Sequence, residues 1–327
     1  MLFVDNNKIT DPRINLAIEE FLLRFVTIEE PILLFYINAP SVIIGRNQNT
    51  VAEVDPTYIQ ENDLFVVRRL SGGGAVYHDL GNLNFSFITN GRFDLHNFSK
   101  FTSPVIKLLQ GFGIDATLQE KSSIFANGKK VSGNAQYAAN NRMFSHGTLL
   151  FNTDLNAMLH ALNPRQAKIE SNAVQSVRNF VTNIHELLPE EMDIFAFRKA
   201  LLHAIFGTTE IPQYELTTTD WKKIEQIAEE RYKMWEWNYG RSPNFNIQKS
   251  NQYPIGKVEV LIDVQKGIMQ AVKIFGSFEG DLPISDLESR LVGCRYDKEA
   301  AADLIQNLKI DRYFGGLSDN EFITLLF

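Results

Sequence analysis

Three consecutive glycines, Gly72–Gly74, constrain the fold of this chain more than any other feature of its sequence. The run Leu64–Val67 before them is rich in β-branched and aromatic residues, so the glycines begin where a predicted strand ends and the chain must turn. Because glycine has no Cβ, backbone N–H groups of such a loop can approach a phosphate or carboxylate closely. The guanidinium groups of Arg68–Arg69 can grip the same oxygens. The loop therefore indicates a site for an acidic small molecule, although a simple glycine-rich turn between strands would have the same sequence.

A second part of the chain combines lysines with small residues. Asn127–Ala135 reads Asn-Gly-Lys-Lys-Val-Ser-Gly-Asn-Ala, so a turn with two lysines leads into a further stretch that contains glycine. His146–Leu150, which reads His-Gly-Thr-Leu-Leu, follows shortly afterwards. Both segments lie in the same half of the chain as the glycine loop and supply cations and free backbone donors rather than a core. They favour the interpretation of the loop as part of a binding site.

Taken together, these segments resemble the lipoate-protein ligase family, and the resemblance runs nearly from end to end. Several separate motifs in the order of the family are far more specific than any one of them. The matching segments are Asn15–Glu20, Val42–Asn49, Arg68–Asn82, Lys129–Ala135, His146–Leu150, Ser176–Asn183 and Trp235–Gly240.

The resemblance implies an α+β fold. It has a large catalytic domain of the biotin/lipoate ligase type, in which mixed sheets pack against helices, and a small C-terminal α/β accessory domain. We place the catalytic domain at residues 1–245 and the accessory domain at residues 250–327. The length of 327 residues agrees with two domains. Between the two, Asn244–Tyr253 is polar and poor in strand-forming residues, so we predict a linker there.

Local patterns predict the helices and strands around these motifs. Asp11 followed by Pro12 is typical of a helix start, and apolar residues then recur at helical spacing. Two more helices and six strands are predicted by the same criteria: the helices Phe98–Phe112 and Thr217–Trp237, and the strands Ile32–Ile37, Ser41–Ile44, Asn84–Ile88, His146–Phe151, Lys257–Val264 and Gly267–Phe275. This mixture favours an α/β or α+β domain.

The resemblance also implies a reaction in two steps. The carboxylate of lipoate attacks the α-phosphate of ATP, supplied as Mg-ATP, to give lipoyl-AMP and pyrophosphate. A lysine of an acceptor lipoyl domain then takes the lipoyl group; such domains belong to the E2 subunits of 2-oxoacid dehydrogenases or to the glycine cleavage H protein. Both steps concentrate negative charge, so they require positioning and preorganised positive charge rather than an enzyme nucleophile.

Site residues are carried over from the family motifs. The catalytic residue is Lys130, which in the family contacts the carbonyl and phosphate of the adenylate. Lys130 also counts among the positions implied to contact the nucleotide, which are Arg69, Gly74, Ala75, Val76, Tyr77 and Lys130. The positions implied to bind the substrate are Arg69, Ser71, Gly72, Gly73, His78, Lys130 and His146. Without the resemblance, each of the two histidines would be interpreted as a hydrogen-bonded core histidine. Lys129, adjacent to the catalytic lysine on an extended segment, is predicted to point to the opposite face into solvent.

One segment departs from the family pattern. Most members carry Arg-Asn-Asp seven to nine residues before the catalytic lysine, where the Asp lies near the adenylate and its metal; this chain has Lys121, Ser122 and Ser123. A hydroxyl cannot replace the charge with which a carboxylate holds Mg²⁺. We therefore predict no metal-ligating residue in the chain. An alternative function follows, in which the protein transfers a lipoyl or octanoyl group that is already activated or attached to another protein, without its own ATP activation.

Composition limits the partners. The net charge of −7 gives no general electrostatic attraction to nucleic acid or anionic membranes. No apolar run approaches the ~20 residues of a membrane helix, and the first residues lack the pattern of a signal peptide, so we expect a cytoplasmic enzyme. The single cysteine, Cys294, excludes an internal disulfide.

Three other functions remain to be compared with the ligase. Acyltransferases of the same fold commonly use a catalytic cysteine, but Cys294 is remote in sequence from both site motifs and is interpreted as a small buried hydrophobic residue. Biotin ligases share the chemistry but have a different glycine motif. A protein that only binds lipoyl domains would have no need of Lys130 and Arg69.

Overall fold

The computed structural model of the chain describes residues 1–48, 50–162, 180–239, 247–265, 267–296, 298–306 and 308–327. These residues form two compact units that do not divide the chain at a single point. The first unit consists of Met1–Ile43, Ala52–Arg68 and Val76–Asn238, and the second of Ile44–Val51, Arg69–Ala75 and Tyr239–Phe327. The glycine loop therefore belongs to the second unit, together with the C-terminal residues. The domain boundary near residue 245 stays a prediction.

A seven-stranded sheet organises the first unit. Its strands are β1 (Leu2–Asp5), β2 (Ile32–Ile37), β6 (Asn82–Asn90), β7 (Ala116–Gln119), β8 (Ser123–Ala126), β9 (Lys129–Ala139) and β10 (Arg142–Leu150). They lie in the order β1-β2-β6-β10-β9-β8-β7. β1 and β2 are parallel. All the other neighbouring strands in this order pair antiparallel. A second, small sheet has the order β4-β3-β5, with β3 (Ser41–Ile44), β4 (Phe65–Arg68) and β5 (Val76–His78).

Helices cover both faces of the large sheet. Within its described residues, this unit contains the helices α1 (Pro12–Arg24), α3 (Pro56–Glu61), α4 (Phe98–Gly111), α5 (Leu155–Leu162), α6 (Ile194–Phe206), α7 (Thr218–Ile227) and α8 (Trp235–Asn238), as well as the second half of α2 (Thr50–Glu53). One face packs Phe85 and Phe87 against Val105 and Leu109 of α4 and Phe197 of α6. The other face lies against α1, which contacts β2, β6 and β10.

The start of α1 confirms the sequence prediction. Asp11 accepts a hydrogen bond on Oδ1 from the backbone N–H of Arg13 at 2.8 Å, and Pro12 is the first helical residue. The proline costs nothing there, because the first N–H groups of a helix have no partner within the helix. Leu16 and Ile18 are then fully buried. This helix is therefore fixed in register on the sheet, which positions the acidic side chains of its second and third turns.

The helix predicted over Thr217–Trp237 is interrupted. α7 begins with a capping box between Thr217 and Asp220, but the chain then widens into a π-helical turn at Ala228–Tyr232. Lys233 N–H donates to the carbonyl of Ala228 at 2.8 Å, five residues back. The extra residue in this turn accompanies the full burial of Tyr232. Amphipathic spacing alone carried no sign of this insertion.

The C-terminal part of the second unit is a three-stranded sheet covered by helices. Its elements are β11 (Ile247–Tyr253), β12 (Gly256–Gln265), β13 (Ile268–Gly276), α9 (Ile284–Leu291), α10 (Lys298–Ile305), α11 (Ile310–Phe314) and α12 (Asp319–Leu326). Strands β12 and β13 confirm the two strands predicted here. The apolar core between sheet and helices includes Val260, Ile274, Phe278, Phe314 and Phe322.

The linker predicted over Asn244–Tyr253 is wrong for its larger part. Residues 247–253 form β11, which pairs antiparallel with β12 from Ile247 opposite Ile262 to Tyr253 opposite Gly256. The strand lies at the edge of its sheet and is largely exposed, so polar side chains are tolerated along it. Residues 244–246 lie outside the described residues. None of the helices in the described ranges combines the length and apolar character that crossing a membrane requires.

Candidate active site

Arg69 lies inside the glycine loop rather than beside it. Its side chain is buried, with 6% exposed. Nε donates to Oγ of Ser71 at 3.0 Å, and Nη2 donates to the carbonyl oxygens of Gly72 at 2.6 Å and Gly74 at 2.8 Å. Hydrogen bonds from a charged donor are stronger than neutral ones. In this conformation the guanidinium therefore holds the loop's carbonyl groups in place.

The segment that follows β3 supports the loop from behind. A Cβ on Gly45 would lie 2.0 Å from the carbonyl oxygen of Gly73, so only glycine permits this approach. Arg46 N–H donates to the carbonyl of Ser71 at 2.8 Å. Gly73 itself has φ +87°, in the left-handed region. By contrast, a Cβ on Gly74 would meet nothing within 4 Å. This exposed residue therefore forms the open side of the glycine loop.

C-terminal residues also contribute to this loop, which was not predicted from the sequence. A Cβ on Gly72 would lie 2.6 Å from the carbonyl oxygen of Phe278 and 2.7 Å from Cγ of Glu279. Burial raises the pKa of Glu279 to about 7, and the nearby charge of Arg69 opposes that rise. About 200 residues separate the two segments in sequence, so no local pattern could reveal the contact. The motif that contains Gly45, in contrast, offered a signal, because its glycine directly follows a predicted strand.

Lys130 lies on β9 of the first unit. It pairs with Phe125 of β8 next to a β-bulge, and its Cε lies 3.8 Å from the position of a Cβ on Gly133. The side chain is half-buried, and this burial lowers the pKa of its ammonium, while the charge of Glu120 acts in the opposite direction. A partly buried lysine with a lowered pKa is typical of functional sites, where its ammonium is available to bind an anion.

Ser123, at the departure from the family pattern, shares a sheet face with Lys130. Ser123 pairs with Gly133, and Phe125, two residues further along β8, pairs with Lys130. Residues two apart on a strand and residues directly opposite on its neighbour lie on one face. Ser123, which stands where the resemblance implies a carboxylate, is therefore on the face of Lys130, and it is buried.

The neighbouring Lys129 lines a polar cavity of about 390 Å³. It is half-buried, so it is less solvated than predicted. The other residues around this cavity are Thr153, Asp154, Leu155, Asn156, Val181, Thr182, Asn183 and Glu186. Most of these residues are polar or charged.

His146 lies on β10, on the same sheet face as Lys130. It pairs with Ala135 of β9, which is two residues beyond Gly133. Its Nδ1 lies 2.9 Å from Oε1 of Glu19 on α1, and both side chains are buried. On the opposite side in the sheet, β6 places the buried Ser86 next to it. The histidine is thus oriented by a carboxylate from the helix above the sheet.

His78, at the end of β5, belongs to a chain of buried amides. Asn15 Nδ2 donates to Oδ1 of Asn38 at 2.9 Å, and Asn38 Nδ2 lies 2.9 Å from Nδ1 of His78. Since the Asn38 oxygen is used by Asn15, its amide N–H donates to the histidine, whose Nε2 then carries the ring hydrogen. Burial raises the pKa of the neighbouring Tyr77. These two side chains lie inside the first unit.

The structure thus groups the predicted site residues into two sets. Arg69, Ser71, Gly72, Gly73, Gly74 and Ala75 lie in the second unit, with Gly45 and Glu279 added to them. Val76, Tyr77, His78, Lys130 and His146 lie in the first unit, with Glu19 and Asn38 added. In the part of the chain that the structure describes, no three His, Cys, Asp or Glu side chains gather in a group that could hold a metal ion.

Two models of known protein families match the chain. Residues 11–206 match the model of the lipoyl protein ligase A/B catalytic domain, and residues 242–326 match that of the bacterial lipoate protein ligase C-terminus. The chain belongs to the lipoate-protein ligase family. Among curated members, it is 48% identical to lipoate-protein ligase LplJ of Bacillus subtilis over 331 residues and 46% identical to lipoate-protein ligase 1 of Staphylococcus aureus over 327 residues. Each alignment covers 100% of both chains.

Solved structures of lipoate-protein ligases share the fold. The P. falciparum LipL1 structure in complex with lipoate has a TM-score of 0.78 at 24% identity and covers 99% of this chain and 96% of its own. A bipartite ligase of Thermoplasma acidophilum, solved in a study of that ligase and its E2 lipoyl domain, has a TM-score of 0.67 at 28% identity, covering 75% and 98%. A lipoate-protein ligase A bound with ATP gives 0.63 at 29%, covering 73% and 98%. The predicted family and fold class are confirmed.

Proposed function

We propose that this lipoate-protein ligase family member activates lipoate with ATP to form lipoyl-AMP and then transfers the lipoyl group to a lysine of an acceptor lipoyl domain. Full-length identity of 48% to a curated lipoate-protein ligase supports this function, as does the related ligase structure bound with ATP. Among observations of the molecule itself, the half-buried Lys130 carries the proposal, because it is a cation with lowered pKa in the family's Lys-Val-Ser-Gly motif.

The glycine loop is proposed to bind the phosphates of the nucleotide. Gly74 presents its backbone to open space, while Arg69 fixes the carbonyl groups of the loop on its inner side. With the carbonyl groups held inward, the backbone N–H groups are the part of the loop left to face an anion. Ser71 and Gly72 keep this geometry, and Ala75, Val76 and Tyr77 continue the loop into β5 as proposed nucleotide contacts.

Lys130 is proposed to contact the oxygens on which charge develops in both steps. During activation the α-phosphate gains negative charge, and during transfer the carbonyl oxygen of the adenylate does. A preorganised cation stabilises these states without reorganisation of solvent. Removal of such a group typically costs about 3 kcal/mol of barrier, or ~100-fold in rate. No side chain of the protein needs to form a covalent bond with the substrate in this mechanism.

The sheet face around His146 is proposed to receive the acyl chain. Ala135 and Gly133 leave space above β9, because their side chains are small or absent. Glu19 fixes the imidazole at 2.9 Å, so that the ring presents one edge to a bound acid. His78 is proposed to help indirectly, through the amide chain that holds the residues after the glycine loop in place.

Mg²⁺ fits this site only as a companion of the nucleotide. Ser123 offers a hydroxyl where the family has a carboxylate, and the described residues contain no acidic cluster. Mg²⁺ keeps several waters and binds phosphate oxygens readily, so Mg-ATP supplies most of its own ligands. When bound, the ion would neutralise phosphate charge; the protein's part is to hold the phosphates through the loop.

Acceptors are proposed to be lipoyl domains of 2-oxoacid dehydrogenase E2 subunits or the glycine cleavage H protein. A related ligase was studied with its E2 lipoyl domain, which supports the first of these. We further propose that residues 1–245 form the catalytic domain and residues 250–327 the accessory domain; the catalytic family model matches residues 11–206, and the C-terminal model residues 242–326. The need for ATP agrees with action in the cytoplasm.

The deciding experiment follows lipoyl-AMP and pyrophosphate in a mixture of purified protein, lipoate, ATP and Mg²⁺. An acceptor lipoyl domain is added in a second stage. Lys130→Ala should lower adenylate formation ~100-fold, whereas Lys129→Ala, a change of the adjacent lysine on the other face, should leave it unchanged. Equal losses in the two variants would mean that general positive charge, not the position of Lys130, is needed.

The alternative transferase would give a different pattern in the same experiment. Wild-type protein would form no adenylate but would modify the acceptor from preformed lipoyl-AMP or from a lipoylated donor protein. The Ser122–Ser123 departure is the one observation that favours this outcome. A cysteine-dependent transferase is not favoured, because Cys294 is half-buried against the core of the second unit and its Sγ contacts the carbonyl of Arg295 at 3.4 Å.

A further inference from the structure

The C-terminal segment Gly276–Gly280 lies directly on the glycine loop, within the second unit. Gly276 N–H donates to the carbonyl of Asn47 at 2.6 Å. The carbonyl oxygen of Phe278 and Cγ of Glu279 lie 2.6 Å and 2.7 Å from the position of a Cβ on Gly72. A side chain at position 72 would therefore push this segment away. The lack of a side chain at Gly72 therefore permits this contact, in addition to the close approach of a ligand.

Glycines of the second unit also hold the backbone of Glu279 in place. A Cβ on Gly315 would lie 2.0 Å from the carbonyl oxygen of Glu279, and Gly315 has φ +76°. A Cβ on Gly280 would lie 1.9 Å from the carbonyl oxygen of Tyr313. Backbones approach this closely only where glycine allows it. The place of the Glu279 side chain is thus built into the fold and does not depend on a flexible surface loop.

The carboxylate of Glu279 and the guanidinium of Arg69 lie at the same glycine. Glu279 Oε1 is 3.5 Å and Arg69 Nη2 is 3.1 Å from the position of a Cβ on Gly73. Arg69 is the cation that faces Glu279, and its hydrogen bonds go to the loop's own oxygens. The adjoining segments also carry Arg46, Asp281 and Arg312, of which the last two form an ion pair at 3.9 Å.

A carboxylate in this position opposes the binding of phosphate. Like charges a few ångströms apart repel strongly when water is excluded. Arg69 would attract an incoming phosphate, but Glu279 already offsets part of its charge. The carboxyl of Glu279 has its pKa raised to about 7 by burial, so it is largely charged above that pH and largely neutral below it.

We infer that Glu279 determines the affinity for the nucleotide: its carboxylate competes with the phosphates for the glycine loop, so that ATP binds more tightly when this charge is removed or withdrawn. The inference rests on the proposed function, because it takes ATP as the ligand of the loop. It gives the C-terminal segment a role in the activation step, as the carrier of a charge that admits or rejects the nucleotide.

The test is calorimetric titration of the full chain with Mg-ATP in the absence of lipoate, so that binding is measured without turnover. Wild type is compared with Glu279→Gln, which keeps the shape of the side chain, and with Glu299→Gln, which removes one charge from the exposed surface of α10 in the same unit. At about pH 8, Glu279→Gln should bind about 5- to 10-fold more tightly than the other two proteins. At about pH 6 the difference should shrink, because the wild-type carboxyl is then protonated.

Several outcomes would overturn the inference. Equal affinities of wild type and Glu279→Gln at about pH 8 would show that the carboxylate does not compete with phosphate. Weaker binding by Glu279→Gln would show that the carboxylate assists the nucleotide. If Glu279→Gln fails to fold by circular dichroism, Glu279→Ala replaces it, and the same direction of change is required. Absence of ATP binding by all proteins at both pH values would instead remove the proposed function on which the inference rests.

Discussion

Arg69 and Lys130 are the two cations that the family pattern assigns to the nucleotide, yet the structure holds them in different ways. Arg69 is buried and directs its donors to Ser71, Gly72 and Gly74 of its own loop. Lys130 is half-buried above Gly133, where burial is the main influence on the pKa of its ammonium. One cation stabilises the fold of its segment, whereas the other is kept at a cost in folding free energy.

This difference predicts that Arg69 matters mainly for stability and Lys130 mainly for activity. A cation that satisfies buried carbonyl groups cannot be removed without leaving those groups unpaired. A cation that is mainly desolvated can be removed with little loss of stability, since removal abolishes a penalty. The two residues should therefore respond oppositely to replacement when unfolding and catalysis are measured side by side.

The largest effect on stability is expected for Arg69→Met. This change leaves the buried hydroxyl of Ser71 and the partly buried carbonyl oxygens of Gly72 and Gly74 without their charged donor, and should lower the free energy of unfolding by about 3 kcal/mol, together with a loss of ATP binding. Urea denaturation followed by circular dichroism measures the first effect, and titration with Mg-ATP the second. Arg290→Met, which removes an exposed arginine of the same unit, should change neither. If Arg69→Met keeps full stability and loses only ATP binding, Arg69 contacts the ligand as proposed for Lys130. The contrast between the two cations would then be wrong.

A smaller loss is expected for Gly72→Ala, which tests the same loop from its outer side. The added methyl group would meet the carbonyl of Phe278 and the side chain of Glu279, so the C-terminal segment must shift, at a cost of about 2 kcal/mol. Gly74→Ala is the matched control, because nothing lies within 4 Å of its Cβ position and its φ is not positive. Thermal unfolding of both variants checks this. Equal melting temperatures would show that the segment is not packed on Gly72 in solution.

These two predictions concern contacts that only the fold reveals. The sequence predicted the strand before the glycine loop, the start of α1 and the strands β12 and β13, since each depends on neighbouring residues. It also led to Lys130, because several motifs in one order identify a family. It could not predict that Arg69 would face inward or that Glu279 would reach Gly72, because both depend on where distant backbones meet. The π-helical turn at Ala228–Tyr232 was not predicted either, because amphipathic spacing carries no sign of an inserted residue.

For Lys130→Met we expect a slight gain in stability. The folded-state pKa of this lysine is lowered, so the folded protein binds its proton less readily than the unfolded chain, and the resulting penalty is fully present at pH 7. Removal of the charge should raise the free energy of unfolding by less than about 1 kcal/mol, or the melting temperature by about 1–3 °C.

This gain should shrink as the pH rises through the folded-state pKa of Lys130 towards the ordinary lysine pKa of 10.5, because the wild-type lysine then loses its proton in the folded state and, above that value, in the unfolded state as well. Urea unfolding of both proteins at neutral and at alkaline pH measures the trend. A Lys130→Met protein that is clearly less stable than wild type at neutral pH would show that the ammonium has stabilising partners, as Arg69 does.

An effect on stability of similar size to that of Lys130→Met is expected for Ser123→Asp, which places the carboxylate expected from the family resemblance on the face of Lys130. Burial opposes this charge, but the ammonium on the same face offsets much of the cost, so the free energy of unfolding should change by only about 1 kcal/mol. If the resemblance assigns this position correctly, the added carboxylate supplies an oxygen ligand that Mg²⁺ prefers. Binding of Mn²⁺ to the protein with ATP, followed by electron paramagnetic resonance, should then strengthen about threefold.

Ser122→Asp provides the control for that result, since Ser122 lies in the turn just before β8 and outside the paired strand that faces Lys130. It adds the same charge one residue away and should not strengthen Mn²⁺ binding. Equal strengthening by both variants would mean that any negative charge near the strand attracts the ion, and position 123 would lose its special relation to Lys130. Strengthening by Ser123→Asp alone would show that the face of Lys130 still has the geometry for a metal-bound nucleotide.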